Sequence, residues 1–324
     1  MEKISIIISF IFSLILAGCN ESYTPLHKAV ISGNKKAINN LLNAKIDVEA
    51  KTTKGLTALH YAAMNGDPNI IKTLIKNGSN VNARGYYQET PLHYAIASNH
   101  REAAKILLAS GANVNAKDHR GEAALIVCLS RICDKNIGKE LAKLLIANEA
   151  DVNIRDDVNQ TPLHRSSFNC AIGKLLIENG ADINAKDDMG ENALHKAVCF
   201  NKDSRDFIEL LVKNGIEINT RSNKGETPLH KAIYRGQDIY VIRYLLANGA
   251  NINIQDKAGE TPLSLTISGF IWQCKKEDVV KILVENGCDI NLKNAEGKTP
   301  LAQAIEWKER KITKILREHG ATEK

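Results

Sequence analysis

The sequence predicts an all-α solenoid of about nine helix–turn–helix repeats. Three observations carry that prediction. Four segments starting at Thr24, Thr90, Thr161 and Thr227 read Thr-Pro-Leu-His, and variants of the same motif start at Thr57, Ala123, Asn192, Thr261 and Thr299. The starts are spaced by 33, 33, 33, 38, 31, 35, 34 and 38 residues. A second apolar segment follows each motif, and the gap from its core Leu to the next motif start is always 16 residues. Self-similarity at such a period marks a stack of supersecondary units sharing one continuous core.

Each residue of the motif has a local reason. The leading Thr can cap a helix, because its side-chain oxygen accepts from orphaned backbone N–H groups. Pro loses nothing at the first helical position, where its missing N–H would be unpaired anyway. Leu points into the stack. A second helix then carries triplets such as Ile106-Leu107-Leu108. It ends at Asn-Gly in several copies, including Asn179-Gly180 and Asn248-Gly249, where Gly permits a left-handed terminus. Next comes a segment such as Ala181-Asp182-Ile183-Asn184, with an inward apolar residue and a turn-favouring Asn. A hairpin tip closes the unit, usually with Gly two residues before the next motif, as at Gly55, Gly190 and Gly259.

The irregular spacing is itself ordered. From motif start to core Leu (Leu41, Leu74, Leu107, Leu145, Leu176, Leu211, Leu245, Leu283 and Leu316) the gaps are 17, 17, 17, 22, 15, 19, 18, 22 and 17. All length variation therefore lies in the helix–turn–helix half. The fourth and eighth copies carry five extra residues, around 131–139 and 269–278, and the fifth is two short. The expected location of that extra length is the solvent-facing interhelical turn, where it costs little. The last copy is polar, with Arg317 in its triplet, as a terminal repeat requires.

The pattern resembles the ankyrin repeat, whose period is about 33 residues and whose signature is T-P-L-H-x-A. The resemblance covers residues 23–321. It implies that motif His and Thr exchange hydrogen bonds tying hairpin to helix. It further implies a non-enzymatic protein–protein interaction scaffold, with partners meeting the hairpin tips and the fifth, eighth and ninth positions of the first helix. The fifth positions are Lys28, Tyr61, Tyr94, Val127, Arg165, Lys196, Lys231, Leu265 and Gln303. The eighth and ninth include Met64, Phe168, Phe200, Tyr234 and Arg235. Tyr61 and Tyr94 flank the hairpin holding Tyr86 and Tyr87, which places four of the eight tyrosines on one expected surface. The expected partner-binding residues are therefore Tyr61, Tyr86, Tyr87, Tyr94, Phe168, Phe200, Tyr234 and Arg235.

The amino terminus reads as a signal. A short n-region ends at Lys3, and the apolar stretch from Ile4 to Ala17 is 14 residues, shorter than the roughly 20 a membrane span needs. Leu16-Ala17-Gly18-Cys19 resembles the lipobox of bacterial lipoproteins, in which the Cys is lipidated after cleavage just before it. The expected division is residues 1–18 as signal peptide, 19–22 as lipidated tether and 23–324 as solenoid. Such a chain is held at the bacterial cell envelope on the periplasmic or surface side. Asn20, in place of Asp, leans toward the outer membrane where one exists. Two other readings attach to the same features: an inhibitor or immunity protein occluding a toxin or enzyme, and a secreted effector binding host proteins.

Other chemistry finds little support. The apolar and charged fractions, 44% and 25%, are those of a folded soluble protein. A net charge of +6 over 324 residues, with no run of four basic residues, argues against a nucleic-acid partner. Six of the nine His sit at one motif position, and His100, His119 and His319 lack metal-ligand spacing, so no metal or other cofactor is expected. Beyond Cys19, the cysteines are Cys128, Cys133, Cys170, Cys199, Cys274 and Cys288, irregularly spaced. Cys128 and Cys288 replace motif Ala residues and read as small buried groups, while a bridge such as Cys128–Cys133 stays open. Paired acids at Asp156-Asp157 and Asp187-Asp188 fall on hairpin tips, where solvated polar residues are expected. No phosphate-binding loop, dinucleotide fingerprint or Gly-x-Ser-x-Gly is present. No small-molecule substrate is expected.

Overall fold

A computed structural model describes residues 22–131, 135–167, 169–199, 204–235, 238–269 and 275–323. The proposed signal peptide, Cys19, Cys133, Phe168, Phe200 and Cys274 lie outside the described residues. The chain forms two compact units. The first runs to Ile132 and takes in Leu144–Ala150; the second comprises Cys133–Lys143 and Asp151–Lys324. Among the described residues there is no strand, only one isolated bridge between Lys117 and Ala123. No helix among them is long and apolar enough to cross a membrane.

In the first unit each motif opens a short helix: α1 (Pro25–Ile31), α3 (Ala58–Asn65), α5 (Pro91–Ala97) and α7 (Ala124–Arg131). Each is followed by a longer helix: α2 (Lys35–Asn43), α4 (Pro68–Lys76), α6 (Arg101–Ala109) and α8 (Lys135–Ile146), of which the residues up to Lys143 belong to the second unit. In the second unit the motif helices are α9 (Pro162–Arg165), α11 (Ala193–Ala197), α13 (Pro228–Tyr234), α15 (Pro262–Ser268) and α17 (Pro300–Glu306). Their partners are α10 (Cys170–Glu178), α12 (Arg205–Lys213), α14 (Ile239–Ala247), α16 (Lys276–Glu285) and α18 (Arg310–Glu318). Within each unit, consecutive motif helices pack in one row.

The core is the one the motif indicated. Leu26, Leu59, Leu92 and Leu125 of the motif are buried, and so is every core Leu of the second helices except Leu41. Leu41 stays partly exposed because no repeat precedes the first among the described residues, whereas Leu316 of the last repeat is covered by the repeat before it. Cys128 is buried as expected, whereas Cys288 is only partly so, its thiol pKa pushed up to about 11 by burial. Cys170, Cys199 and Cys288 are free thiols.

Part of the fourth repeat's extra length is placed differently from the expectation. In the fourth repeat, α8 has 12 residues against 9 in α6, so part of the insertion extends the second helix instead of looping out. In the fifth, the two-residue deletion shortens the motif helix to Pro162–Arg165. Helix length can vary because only the buried side of each helix has a fixed neighbour.

The hairpins cannot vary, and their hydrogen bonds show why. Within each unit a tip donates a backbone N–H to the one before it: Tyr86 to the Lys54 carbonyl and His119 to that of Tyr87, at 2.8 and 2.9 Å, in the first unit. Asp188 to Val158, Asn223 to Met189, Lys257 to Lys224 and Ala295 to Ala258 repeat the bond in the second. One inserted residue would unpair these groups on both sides. The tip Gly is fixed by the same approach. Gly259 has φ +73°, and a Cβ there would lie 2.4 Å from the Ala295 nitrogen. Gly259→Ala is therefore expected to cost roughly 2–4 kcal/mol, adding a left-handed penalty to overpacking. Urea unfolding followed by helical ellipticity would read this, and an unchanged midpoint would contradict the contact.

Candidate interaction surface

The surface is built on the motif helices and the tips, so its geometry begins with the capping residues. In six repeats the motif His acts as the third helical residue of a capping box. His60 Nδ1 lies 2.9 Å from Thr57 Oγ1 and accepts the Thr57 N–H at 3.1 Å. Its opposite nitrogen reaches the Glu89 carbonyl of the next hairpin at 3.2 Å. With a backbone N–H donating to Nδ1, the neutral ring carries its proton on Nε2 and donates it onward. The tie thus reaches beyond the Thr–His pair to the hairpin of the next motif. His27, His93, His164, His195 and His230 make the same crossing to Leu56, Glu122, Glu191, Glu226 and Glu260. Burial lowers the pKa of His60 and of His195 to about 4, and lowers that of His164 and His230. These rings are structural ties held neutral, and no metal-binding group of side chains occurs among the described residues.

The four tyrosines divide. Tyr61 is only 3% exposed, which corrects its assignment to the surface. Its ring meets those of His27 and Tyr23 edge-on, at 5.6 and 5.8 Å, and so is spent on covering a motif His. Tyr94 is half-buried and covers His60 the same way at 5.7 Å. Tyr86 and Tyr87, at 71% and 50%, are the exposed pair. Their rings meet edge to face at 5.1 Å, and Tyr87 lies 4.8 Å from the His119 ring on the next tip. Of the remaining expected residues, Tyr234 and Arg235 are exposed at the end of α13 in the second unit.

Fifth-position cations of the second unit are not free for a partner either. Lys196 pairs with Asp187 and Glu191, and Lys231 with Glu191 and Glu226. Burial opposes both charges, yet these carboxylates raise both ammonium pKa values above the ordinary one. Arg165 pairs with Asp156 at 2.7 Å. Of the paired acids, Asp157 and Asp188 are exposed as expected, but the first member of each pair is not. Asp156 and Asp187 are buried, and one oxygen of each accepts two backbone N–H groups of its own turn: Val158 and Gln160, or Met189 and Glu191.

Two features of this surface escaped sequence reasoning. Val158 and Met189 occupy the same tip register as Tyr87 and are exposed apolar groups. The Asn that ends the Ala-Asp-Ile-Asn segment does more than favour a turn. Asn82 donates to the Gly111 carbonyl and accepts the Asn113 N–H, and Asn153 does likewise with Gly180 and Asp182. A 33-residue comparison of the polar positions could have raised both.

The family model described as ankyrin repeats (3 copies) matches residues 26–118, 125–222, 199–294 and 229–324. No curated protein matches the chain.

Proposed function

Because the chain belongs to the ankyrin-repeat family, whose repeats generally mediate protein–protein interaction, we propose that it is a non-enzymatic scaffold binding a protein through the tips around Tyr86 and Tyr87. The observation that carries the reading is the exposed ring pair. Large rigid aromatic side chains are the anchors that dominate interfaces, and burying two leaves little entropy to lose. Tyr61 and Tyr94 instead cover motif histidines. We count nine repeats, one per motif, and read residues 23–324 as their span. The lipobox-like Leu16-Ala17-Gly18-Cys19 supports a lipidated Cys19 and a place at a bacterial envelope. The first motif begins five residues after Cys19, a tether of at most roughly 17 Å.

Crosslinking in the native membrane fraction followed by mass spectrometry tests the binding surface. Y86A/Y87A is expected to reduce recovery of the crosslinked partner about tenfold or more, with helicity unchanged. Unaltered recovery would remove the tip surface from consideration. Separately, Cys19→Ser is expected to move the chain from the membrane to the soluble fraction and to stop incorporation of labelled palmitate. A variant that remains membrane-bound would refute the anchor.

A further inference from the structure

The hairpins carry a basic column that no run of residues reveals. The position six residues before the motif is Lys51, Arg84 and Lys117 in the first unit, and Arg155, Lys186 and Arg221 hold it in the second. Each cation is 31 to 38 residues from the next, so a scan for adjacent charges passes over them. Within the first unit the fold aligns them. Lys51 Nζ donates to the Arg84 carbonyl at 3.2 Å, and Arg84 Nη1 to the carbonyls of Lys117 at 2.7 Å and Gln88 at 3.1 Å. These acceptors are neutral and leave the positive charge in place. Among the described residues, no carboxylate forms an ion pair with Lys51, Arg84, Lys117 or the exposed Arg120. Lys196 and Lys231 of the second unit, by contrast, are each held by two acids.

Tyr86 and Tyr87 project from the same hairpins as this column. A surface combining exposed rings with uncompensated cations is complementary to carboxylates interspersed with apolar side chains. We infer that the tips of the first unit bind an extended acidic polypeptide segment. Its carboxylates lie on Lys51, Arg84, Lys117 and Arg120, and its apolar side chains lie against Tyr86 and Tyr87. This rests on the scaffold reading and adds the chemistry of the partner. The ring arrangement favours a polypeptide over single-stranded nucleic acid. Tyr86 and Tyr87 are 85° apart and Tyr87 leans on His119, so they offer no succession of parallel faces for bases. The cations are also sparse beside the dense charge of a phosphate backbone.

The test is fluorescence anisotropy with the full chain and a short labelled peptide alternating Glu and Leu. Controls are its Gln-for-Glu and Lys-for-Glu counterparts, labelled oligo-dT, and vesicles containing phosphatidylglycerol. The Glu peptide is expected to bind, more weakly as salt rises. K117E/R120E is expected to weaken it about tenfold or more, while K117R/R120K retains it. Circular dichroism of each variant establishes that the fold is kept. Equal binding of the Gln peptide, tighter binding of oligo-dT or vesicles, or indifference to K117E/R120E would each overturn the inference. Loss of native crosslinks in Y86A/Y87A together with indifference to K117E/R120E would retain the scaffold and discard the acidic partner. Native crosslinks unaffected by Y86A/Y87A would discard the scaffold surface itself.

Discussion

Replacing Phe207 with Ala is expected to destabilise the second unit by about 3–5 kcal/mol, the range for emptying an aromatic from a closed core. Phe207 on α12 is fully buried, and its ring packs on Gly173 of α10 in the preceding repeat. A Cβ at Gly173 would lie 2.3 Å from that ring, so the glycine is there to admit it. Gly in a helix costs about 1 kcal/mol relative to Ala. That loss is accepted because the ring has nowhere else to go. Two opposite signs follow. In the wild type, Gly173→Ala collides with the ring, and overpacking of roughly 1–3 kcal/mol outweighs or cancels the gain in propensity. In F207A the same substitution meets empty space and is expected to stabilise, by helix propensity and by filling part of the cavity. Urea midpoints of the four proteins form a double-mutant cycle. Equal shifts for Gly173→Ala in both backgrounds would mean that the ring and the glycine do not share the space described.

That pair also marks how far the sequence could be read. At the register of Gly173 the other second helices carry residues such as Ile71, Ala104, Ile208, Ile242 and Val280, and at that of Phe207 they carry Ile70, Ala103, Val241 and Val279. The exchange of volume between adjacent repeats is visible once the copies are aligned. It is invisible to a reading that asks only whether a position is apolar. The fold itself was legible for a related reason: a motif copied along the chain averages out local accidents, and the constant 16-residue hairpin half states a geometric constraint directly. The surface was less legible. The identities of the groups that a fifth-position residue of the motif helix meets decide its fate. Tyr61 finds Tyr23 and His27 and is buried; Lys196 finds Asp187 and Glu191 and is neutralised. Tyr86 and Tyr87 sit at the tip, beyond such neighbours, so there sequence and structure agree. The basic column was missed because its members are adjacent only across repeats.

The buried histidines give the largest dependence on solution conditions. Stability is expected to fall as the pH drops below about 6.5, with most of the loss complete near pH 4. The direction follows from linkage. Folded His60 and His195 titrate at about 4, whereas an unfolded His titrates near 6.5. Between those values the unfolded chain takes up protons that the folded chain refuses, which favours unfolding. The stabilisation is fully present above about 6.5 and stops declining once the folded rings also protonate. For a shift of this size the loss is about 2 kcal/mol per site at pH 5 and about 3 at pH 4. His60 belongs to the first unit and His195 to the second, so each unit carries its own loss; His164 and His230 add to that of the second. The carboxylates with lowered pKa values, Asp187 and Glu191 among them, act in a different window. Their contribution is intact above an unfolded carboxyl pKa of about 4 and is lost below it. The interval from about pH 6.5 to 4.5 therefore isolates the histidines. Urea midpoints measured across it should decline steadily for the wild type. In H60Q/H195Q, which removes both titrations, the decline should be shallower whatever the starting stability of the variant. A wild-type midpoint that stays level across that interval would show that burial does not hold these rings neutral.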